Sequence, residues 1–423
     1  LGSSQLTAAE EWKRGWTLVL ACFVGFSFFS VPTASMGVFM EPIAHEFGWG
    51  RTLLSAGTTM TSVVTALLSP FVGVLIDRWG ARRLALPGVV LTAFAMAGIS
   101  LASGSPVQWL LLWAFYALIS ILVKTTVWTA PVSGMFVSGR GIALALVLSG
   151  TAAAQAIAPP LCNWLIDQYG WRQAYVWTGF GWGGLALLLC WLFLYDLKDR
   201  RRRTPPADRL SETAAADLPG LSIAEAWRSR ALWSIAVSTF VMMLLSLGLQ
   251  IHQVPILTGA GVSRTNAAWL AGLFGVAGIA GKLITGALLD RYRPNWIGGL
   301  TLAANSIAFA LLLYGVHSPA LIVAAILING YSAGTKLQIC TYLTASYAGL
   351  RNLGAVFGAM YSLVSLGSGL GPMIAGFVYD TTGGYVPFLL AGTFGCVFCG
   401  LLILTLPRYP DWTAAPTLKP ALA

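Results

Sequence analysis

Twelve apolar runs of roughly 20 residues or more recur along the 423-residue chain, separated by charged or Gly/Pro-rich breaks. They fall near residues 16–40, 52–76, 84–104, 108–134, 141–165, 173–195, 231–257, 266–289, 295–316, 319–346, 353–378 and 385–406. A helix of about 20 residues spans a hydrocarbon core of about 30 Å, so each run is long enough to cross a bilayer. Only 9% of the residues are charged, against roughly 25% in soluble domains, and mean hydropathy is +0.75. A soluble globular enzyme is excluded; the expected fold class is an all-α integral membrane protein of twelve transmembrane helices.

The charge balance of +10 would suggest a nucleic-acid partner in a soluble protein. In a membrane protein it reports orientation first, because Lys and Arg collect in cytoplasmic loops. Alternating the loops between two sides puts 19 of the 25 basic residues together and leaves Arg51, Arg172 and Arg264 on the other side. The expectation is a multi-pass protein of the bacterial inner (plasma) membrane with both termini cytoplasmic, functional as a monomer and without a nucleic-acid partner. Residues 1–15 lack the apolar core of a signal peptide. All six cysteines fall within apolar runs, where a thiol behaves as a small hydrophobe, so no disulfide framework or metal site is expected. Trp49, Trp109, Trp171 and Trp412, near span ends, are expected in the interfacial aromatic belt.

The longest polar interruption, 196–230, carries Arg200 to Arg203 and divides the spans six and six. The expected domains are an N-terminal six-helix bundle (1–195), a cytoplasmic linker (196–230) and a C-terminal six-helix bundle with its tail (231–423). A fixed offset of 213 residues relates the halves. Gly73, Leu75, Asp77 and Arg78 recur as Gly286, Leu288, Asp290 and Arg291; Gly141, Ser149, Pro159, Asp167 and Gly170 recur as Gly354, Ser362, Pro372, Asp380 and Gly383. One offset kept through both blocks points to a duplicated six-helix unit in parallel orientation, hence two pseudo-symmetric bundles that rock about a central site.

The segment Gly73-Val-Leu-Ile-Asp77-Arg78-Trp-Gly80-Ala-Arg82-Arg83 resembles the loop motif between the second and third helices of the major facilitator superfamily. The resemblance implies that charged groups at these helix ends, Asp77, Arg78, Arg82, Arg83 and Arg140 with Asp290 and Arg291 of the second half, make gating contacts between the bundles. Three further stretches look like the bacterial branch of the monocarboxylate and oxalate/formate transporter group. They are Phe39-Met40-Glu41-Pro42-Ile43 with Glu46-Phe47-Gly48-Trp49, Arg140-Gly141-Ile-Ala143-Leu-Ala145 with Ser149-Gly150 and Pro159-Pro160, and Gly170-Trp171-Arg172. Members of that group typically carry an Arg where this chain has Lys282, an Asp where it has Gly278 and a first-span Lys near Thr33. Many bacterial relatives have acidic residues in the tenth span, where this chain has Lys336 and Gln338.

Lys124, Lys282 and Lys336 lie inside spans four, eight and ten, and all 15 Asp and Glu lie in loops, termini or span ends. A lysine near mid-membrane costs on the order of 3 kcal/mol on insertion scales, so it faces a cavity or a partner. Three such lysines at similar depth, without embedded acids, fit a bound organic anion. The expected substrate site combines Lys124, Lys282 and Lys336 with Gln338, and with Trp128 and Tyr342 against an aromatic or alkyl substrate body. Snorkelling, or bonding to helix carbonyls, is the alternative for each lysine. His252, near the end of the seventh span, is the candidate proton-coupling residue. No phosphate-cradling loop, zinc ligand set or catalytic triad is present in the sequence, so neither enzymatic activity nor a cofactor is expected. The leading expectation is a proton-coupled symporter of mono- or dicarboxylates working by alternating access. An organic-anion exchanger, a non-transporting sensor on a carrier scaffold and a drug exporter are the alternatives.

Overall fold

The computed structural model describes residues 8–136, 139–194, 220–314, 318–349 and 351–407, and the described residues are helices and their connections. The helices are α1 (Ala8–Phe47), α2 (Arg51–Trp79), α3 (Ala81–Gly98), α4 (Pro106–Ser120), α5 (Thr125–Met135), α6 (Arg140–Trp177), α7 (Gly183–Phe193), α8 (Ile223–Arg228), α9 (Arg230–Gly259), α10 (Arg264–Arg291), α11 (Pro294–Tyr314), α12 (Pro319–Ala348), α13 (Leu353–Thr382) and α14 (Val386–Leu404).

Among the described residues ten helical stretches are long and apolar enough to cross a membrane. One of them, 141–193, is broken at Gly170 into two crossings, and α2 completes the twelve. The face on which α1 begins is called proximal here, and the face on which it ends distal. Gly170 has φ 78° and ψ 162°, and its repeat partner Gly383, which caps α13, has φ 73°. Both positions have a positive φ that a side chain resists, so the duplication keeps a glycine at the distal turn of the fifth and eleventh spans, although ψ differs, 162° at Gly170 and 7° at Gly383. Span four is discontinuous as well. A 3₁₀ turn at Ile121–Val123 ends on Lys124, which is extended (φ −71°, ψ 165°) and starts α5.

Close helix approach depends on small residues, as expected where lipid supplies no hydrophobic drive between helices. A Cβ on Gly334 of α12 would lie 2.1 Å from the Gly278 carbonyl oxygen of α10, and one on Gly371 of α13 would lie 2.0 Å from the Leu244 carbonyl oxygen of α9. The first bundle is filled by aromatic side chains at its distal end, where Phe47, Trp49, Trp109, Trp113 and Tyr116 follow one another edge to face or tilted. Trp109 and Trp171 are therefore core residues and not belt residues: Trp109 donates to the Leu53 carbonyl at 3.2 Å and Trp171 to Glu46 Oε2 at 2.6 Å. Trp412 lies outside the described residues.

The expected linker 196–230 lies largely outside the described residues, but its end is ordered. Ser222 and Glu225 form a capping box on α8, and these Ser222 hydrogen bonds, the backbone one foremost, hold the Glu225 carboxyl below its ordinary range. Leu221 is stitched to the α12–α13 turn through Ala348 and Asn352.

The glycine packing makes a prediction. Gly334→Val should lower thermal stability in detergent by about 1–3 kcal/mol through overpacking. Gly358→Ala, where a Cβ meets nothing within 4 Å, should leave the melting transition in place.

Candidate functional site: the inter-bundle seam

Named contacts between the bundles gather in the distal halves of the helices. Asp380, near the end of α13, accepts from the backbone N–H groups of Arg51 and Thr52, each at 2.9 Å, and from the Thr52 hydroxyl at 2.6 Å. It thus caps the N-terminus of α2 across the bundle boundary, where an anion meets both free donors and the positive end of the helix dipole. The Arg51 guanidinium lies over the Tyr379 ring, 3.6 Å from its centroid, and donates to Tyr385 Oη at 2.5 Å. On the other side of the molecule Arg264, at the start of α10, is ion-paired with Asp167 of α6, and Asn163 bridges Asp167 to Thr265.

The two latches use equivalent repeat positions: Arg51 and Arg264 are 213 residues apart, as are Asp167 and Asp380. Their chemistry differs, because Arg264 gives its guanidinium to Asp167 whereas Arg51 gives Asp380 only its backbone N–H and turns its guanidinium to Tyr379 and Tyr385. Sequence reasoning placed Asp167 and Asp380 in the repeat but left Arg51 and Arg264 as unassigned distal charges; extending the offset to those two residues was the available signal.

His252 belongs to this closure. It is fully buried in α9, with Nδ1 2.7 Å from Tyr385 Oη and Nε2 2.9 Å from the Pro372 carbonyl and 3.0 Å from Ser55 Oγ. One tautomer fits these partners: Nε2–H donates to the Pro372 carbonyl and is shared with Ser55 Oγ, and Nδ1 accepts from the Tyr385 hydroxyl, which itself accepts from Arg51. The histidine therefore knots α2, α9, α13 and the start of α14 together.

The three lysines are not gathered into one cluster. Lys282, half-buried in α10, reaches across the seam, with Nζ 3.4 Å from the Leu148 carbonyl of α6. One turn further along α10, Gly286 leaves room for the amide of Gln338, whose Nε2 would be 2.9 Å from a Cβ there. Lys124, also half-buried, sits at the break in span four as the N-cap residue of α5, and its own side chain makes no capping hydrogen bond there. The Lys336 ammonium instead points into the second bundle, donating to Ser246 Oγ of α9 at 2.5 Å, which corrects its expected place beside the other two. Trp128 also turns inward: it is fully buried against Gly25 of α1, with its indole N–H bonded to the Val123 carbonyl at 2.7 Å, so it does not line an open path. Tyr342 is 38% exposed.

Of the expected proximal gating groups, Arg82 donates to the Leu194 and Trp191 carbonyls and so caps α7 within its own bundle, where a contact between bundles was expected. Arg78, Arg83 and Arg291 are exposed. The side chains of Asp77, Arg140 and Asp290 lie outside those described. All six cysteines are buried and free, including Cys396 and Cys399, which face the bundle interior and not lipid.

Replacing both Asp167 and Asp380 with Asn should release the distal closure. Charge-assisted hydrogen bonds contribute about 1.5–3 kcal/mol each, so the equilibrium should move at least tenfold toward the distal-open state. Spin labels at exposed Tyr169 and Thr382 would then show a longer distance population by pulsed electron paramagnetic resonance, absent in the unmodified protein.

Comparison with known proteins agrees with this architecture. The model of the Major Facilitator Superfamily matches residues 17–260 and 247–422. Monocarboxylate transporter 13 of Bos taurus is 26% identical over 418 residues, covering 96% of this chain and 92% of the relative. A gallate transporter of Pseudomonas putida is 24% identical over 400 residues, covering 84% and 87%. Among solved structures a D-xylose-proton symporter superposes with a TM-score of 0.68 at 14% identity, over 94% of this chain and 98% of that one. The chain is a multi-pass membrane transporter that belongs to the Major Facilitator Superfamily, with monocarboxylate transporters among its relatives.

Proposed function

We propose that the protein transports small organic anions, mono- or dicarboxylates including aromatic ones, by alternating access between the two bundles. The observation that carries this reading is the break in span four. Where a helix stops inside a membrane, the first amide N–H groups of the next helix have no intrahelical acceptor. Here they follow directly on Lys124, so a cationic residue and a helix N-terminus are neighbours within the span, an arrangement that suits a carboxylate.

Lys282 supplies a second cation on the seam, held only by a long bond to a carbonyl that a carboxylate can displace. Gln338 and Tyr342 on α12 lie toward the substrate body. Lys336 and Trp128 are left out of this site. The names of the gallate and monocarboxylate transporters among the relatives agree with a carboxylate as cargo.

With the proximal face taken as cytoplasmic from the Lys and Arg distribution, the distal latches would close the outside of a carrier in a bacterial inner membrane. Proton-coupled symport is the leading coupling mode, and exchange against an internal anion is the alternative that the absence of carboxylates from the span interiors suggests.

In proteoliposomes, Lys282→Gln and Lys124→Gln should each reduce uptake of radiolabelled gallate or lactate at least tenfold, about 1.4 kcal/mol or more. Lys282→Arg should retain most of it, because the charge is kept. Uptake unchanged by both Gln variants would sink the carboxylate site. Stimulation by an inward proton gradient separates symport from exchange.

A further inference from the structure

The buried polar groups that the substrate site does not use are concentrated inside the second bundle. Lys336 is 8% exposed, and its one named hydrogen-bond partner is the Ser246 hydroxyl. Thr239 and Met242 of α9, Cys340 of its own helix, Leu302 of α11 and Ile403 of α14 close the small cavity around it. An ammonium has three N–H donors, so at least two remain to be satisfied there.

Distal to this pair the same two helix faces stay polar. Gln250 and Gln253 follow Ser246 by four and seven residues on α9; Ser332 and Asn329 precede Lys336 by four and seven on α12. Both sets fall on one helical stripe. The helices run antiparallel, so the stripes rise together from the Ser246–Lys336 contact, one rung about 6 Å and the next about 10.5 Å further on.

None of these rungs closes on itself. The amide nitrogen of Gln250, both amide atoms of Gln253, both of Asn329 and the Ser332 hydroxyl are buried without a hydrogen-bond partner, and so is Oδ1 of Asn305 on α11. A dry, unpaired buried polar atom costs about 1–3 kcal/mol, and a hydrocarbon surround offers no relief. Gln253 and Asn329 are at least 99% buried, so only water inside the bundle can reach them.

We propose that a file of ordered water molecules occupies the α9–α12 seam, and that Lys336 exchanges its proton with this file as the proton station of the transport cycle, apart from the substrate lysines. The proton half of the proposal rests on the symport reading above. The chemistry is a simple transfer: an ammonium N–H bond breaks, the proton passes to a water as hydronium, and the lone pair stays on Nζ. Ser246 suits both states, since its hydroxyl accepts from the ammonium and donates to the amine. The groups facing Lys336 are the Ser246 and Thr239 hydroxyls of α9, Cys396 of α14 with Asn305 of α11 bonded to it, and Cys340 of α12. No carboxylate lies in the interior of these spans.

Sulfur side chains lining the site make the water directly measurable. X-ray hydroxyl-radical footprinting of the full-length protein in ¹⁸O-labelled water should oxidise Met242 and Cys396, although both are buried. The rate should exceed that of equally buried Cys22 in the first bundle at least fivefold, and Asn329→Leu with Gln253→Leu should bring it back to the Cys22 level. Oxidation no faster than at Cys22 would overturn the water file.

For the proton station, Lys336→Met in proteoliposomes should keep counterflow of labelled gallate or lactate within about twofold and lose at least tenfold of the uptake driven by an inward proton gradient. Retention of gradient-driven uptake, or loss of both activities in a monodisperse variant, overturns it. If Lys336→Met does not fold, Ser246→Ala decides instead: its gradient-driven uptake should shift in pH profile while counterflow does not, and an unmoved profile counts against the proposal. Absence of counterflow in the unmodified protein would count against the transport reading and leave the footprinting result to stand alone.

Discussion

A backbone inside a bilayer has no water to fall back on, and this constraint organises the molecule. Almost every amide within the crossings is satisfied by its own helix, so a crossing that breaks must be compensated by a neighbour, by water or by a ligand. The breaks are few and placed. At Gly170 the interruption lies at the distal surface, where a left-handed glycine turns the chain between two crossings. At Ile121–Lys124 it lies within the fourth span, with a cation on the breaking residue. The first is a loop by other means; the second puts a helix N-terminus inside the span. The same constraint explains the glycine seams between α10 and α12, since helices without a hydrophobic drive toward each other gain most from close contact.

Duplication gives the closure its symmetry. Because Arg51 and Arg264 occupy one repeat position and Asp167 and Asp380 another, each latch joins a first-half residue to a second-half residue, and both lie on the distal face. Rocking of the bundles therefore breaks or makes the two together. His252 adds an element without a counterpart, since its repeat position is Phe39, which stacks on Tyr175 within the first bundle at 4.0 Å. The second bundle carries a buried imidazole tied to the latch through Tyr385, so equivalent repeat positions frame a closure whose contacts are asymmetric.

The spans and the duplication were legible in the sequence because both are written in periodicity and spacing, which need no knowledge of side-chain direction. Side-chain direction was the part that was hidden. Lys336 and Lys282 have the same depth and chemistry in the sequence, yet one points into its own bundle and the other across the seam, a difference set by which face of α12 meets α9 and which face of α10 meets α6. Trp109 and Trp171 fail as belt residues for the same reason: a tryptophan at a span end is interfacial or core according to rotation about the helix axis. Arg82 resembled a gate by motif, and its fork instead finds two carbonyls at the end of α7. The break at Lys124 left no sequence signal, because Ile121, Leu122 and Val123 are ordinary apolar residues.

The arrangement also bears on how cargo and conformation are linked. Lys282 touches the Leu148 carbonyl across the seam at 3.4 Å, a weak bond that nonetheless spans the two bundles. Under the proposed carboxylate reading, an anion that takes this ammonium exchanges a bundle-to-bundle contact for a contact to itself, and any group it also meets in the first bundle makes it a charged tie between the halves. Without the anion, the weak carbonyl bond and the distal latches are what join the bundles at these points. Under that reading substrate and latch together set the angle between the bundles, since ligand binding moves the equilibrium only by the difference in its affinity for the two states.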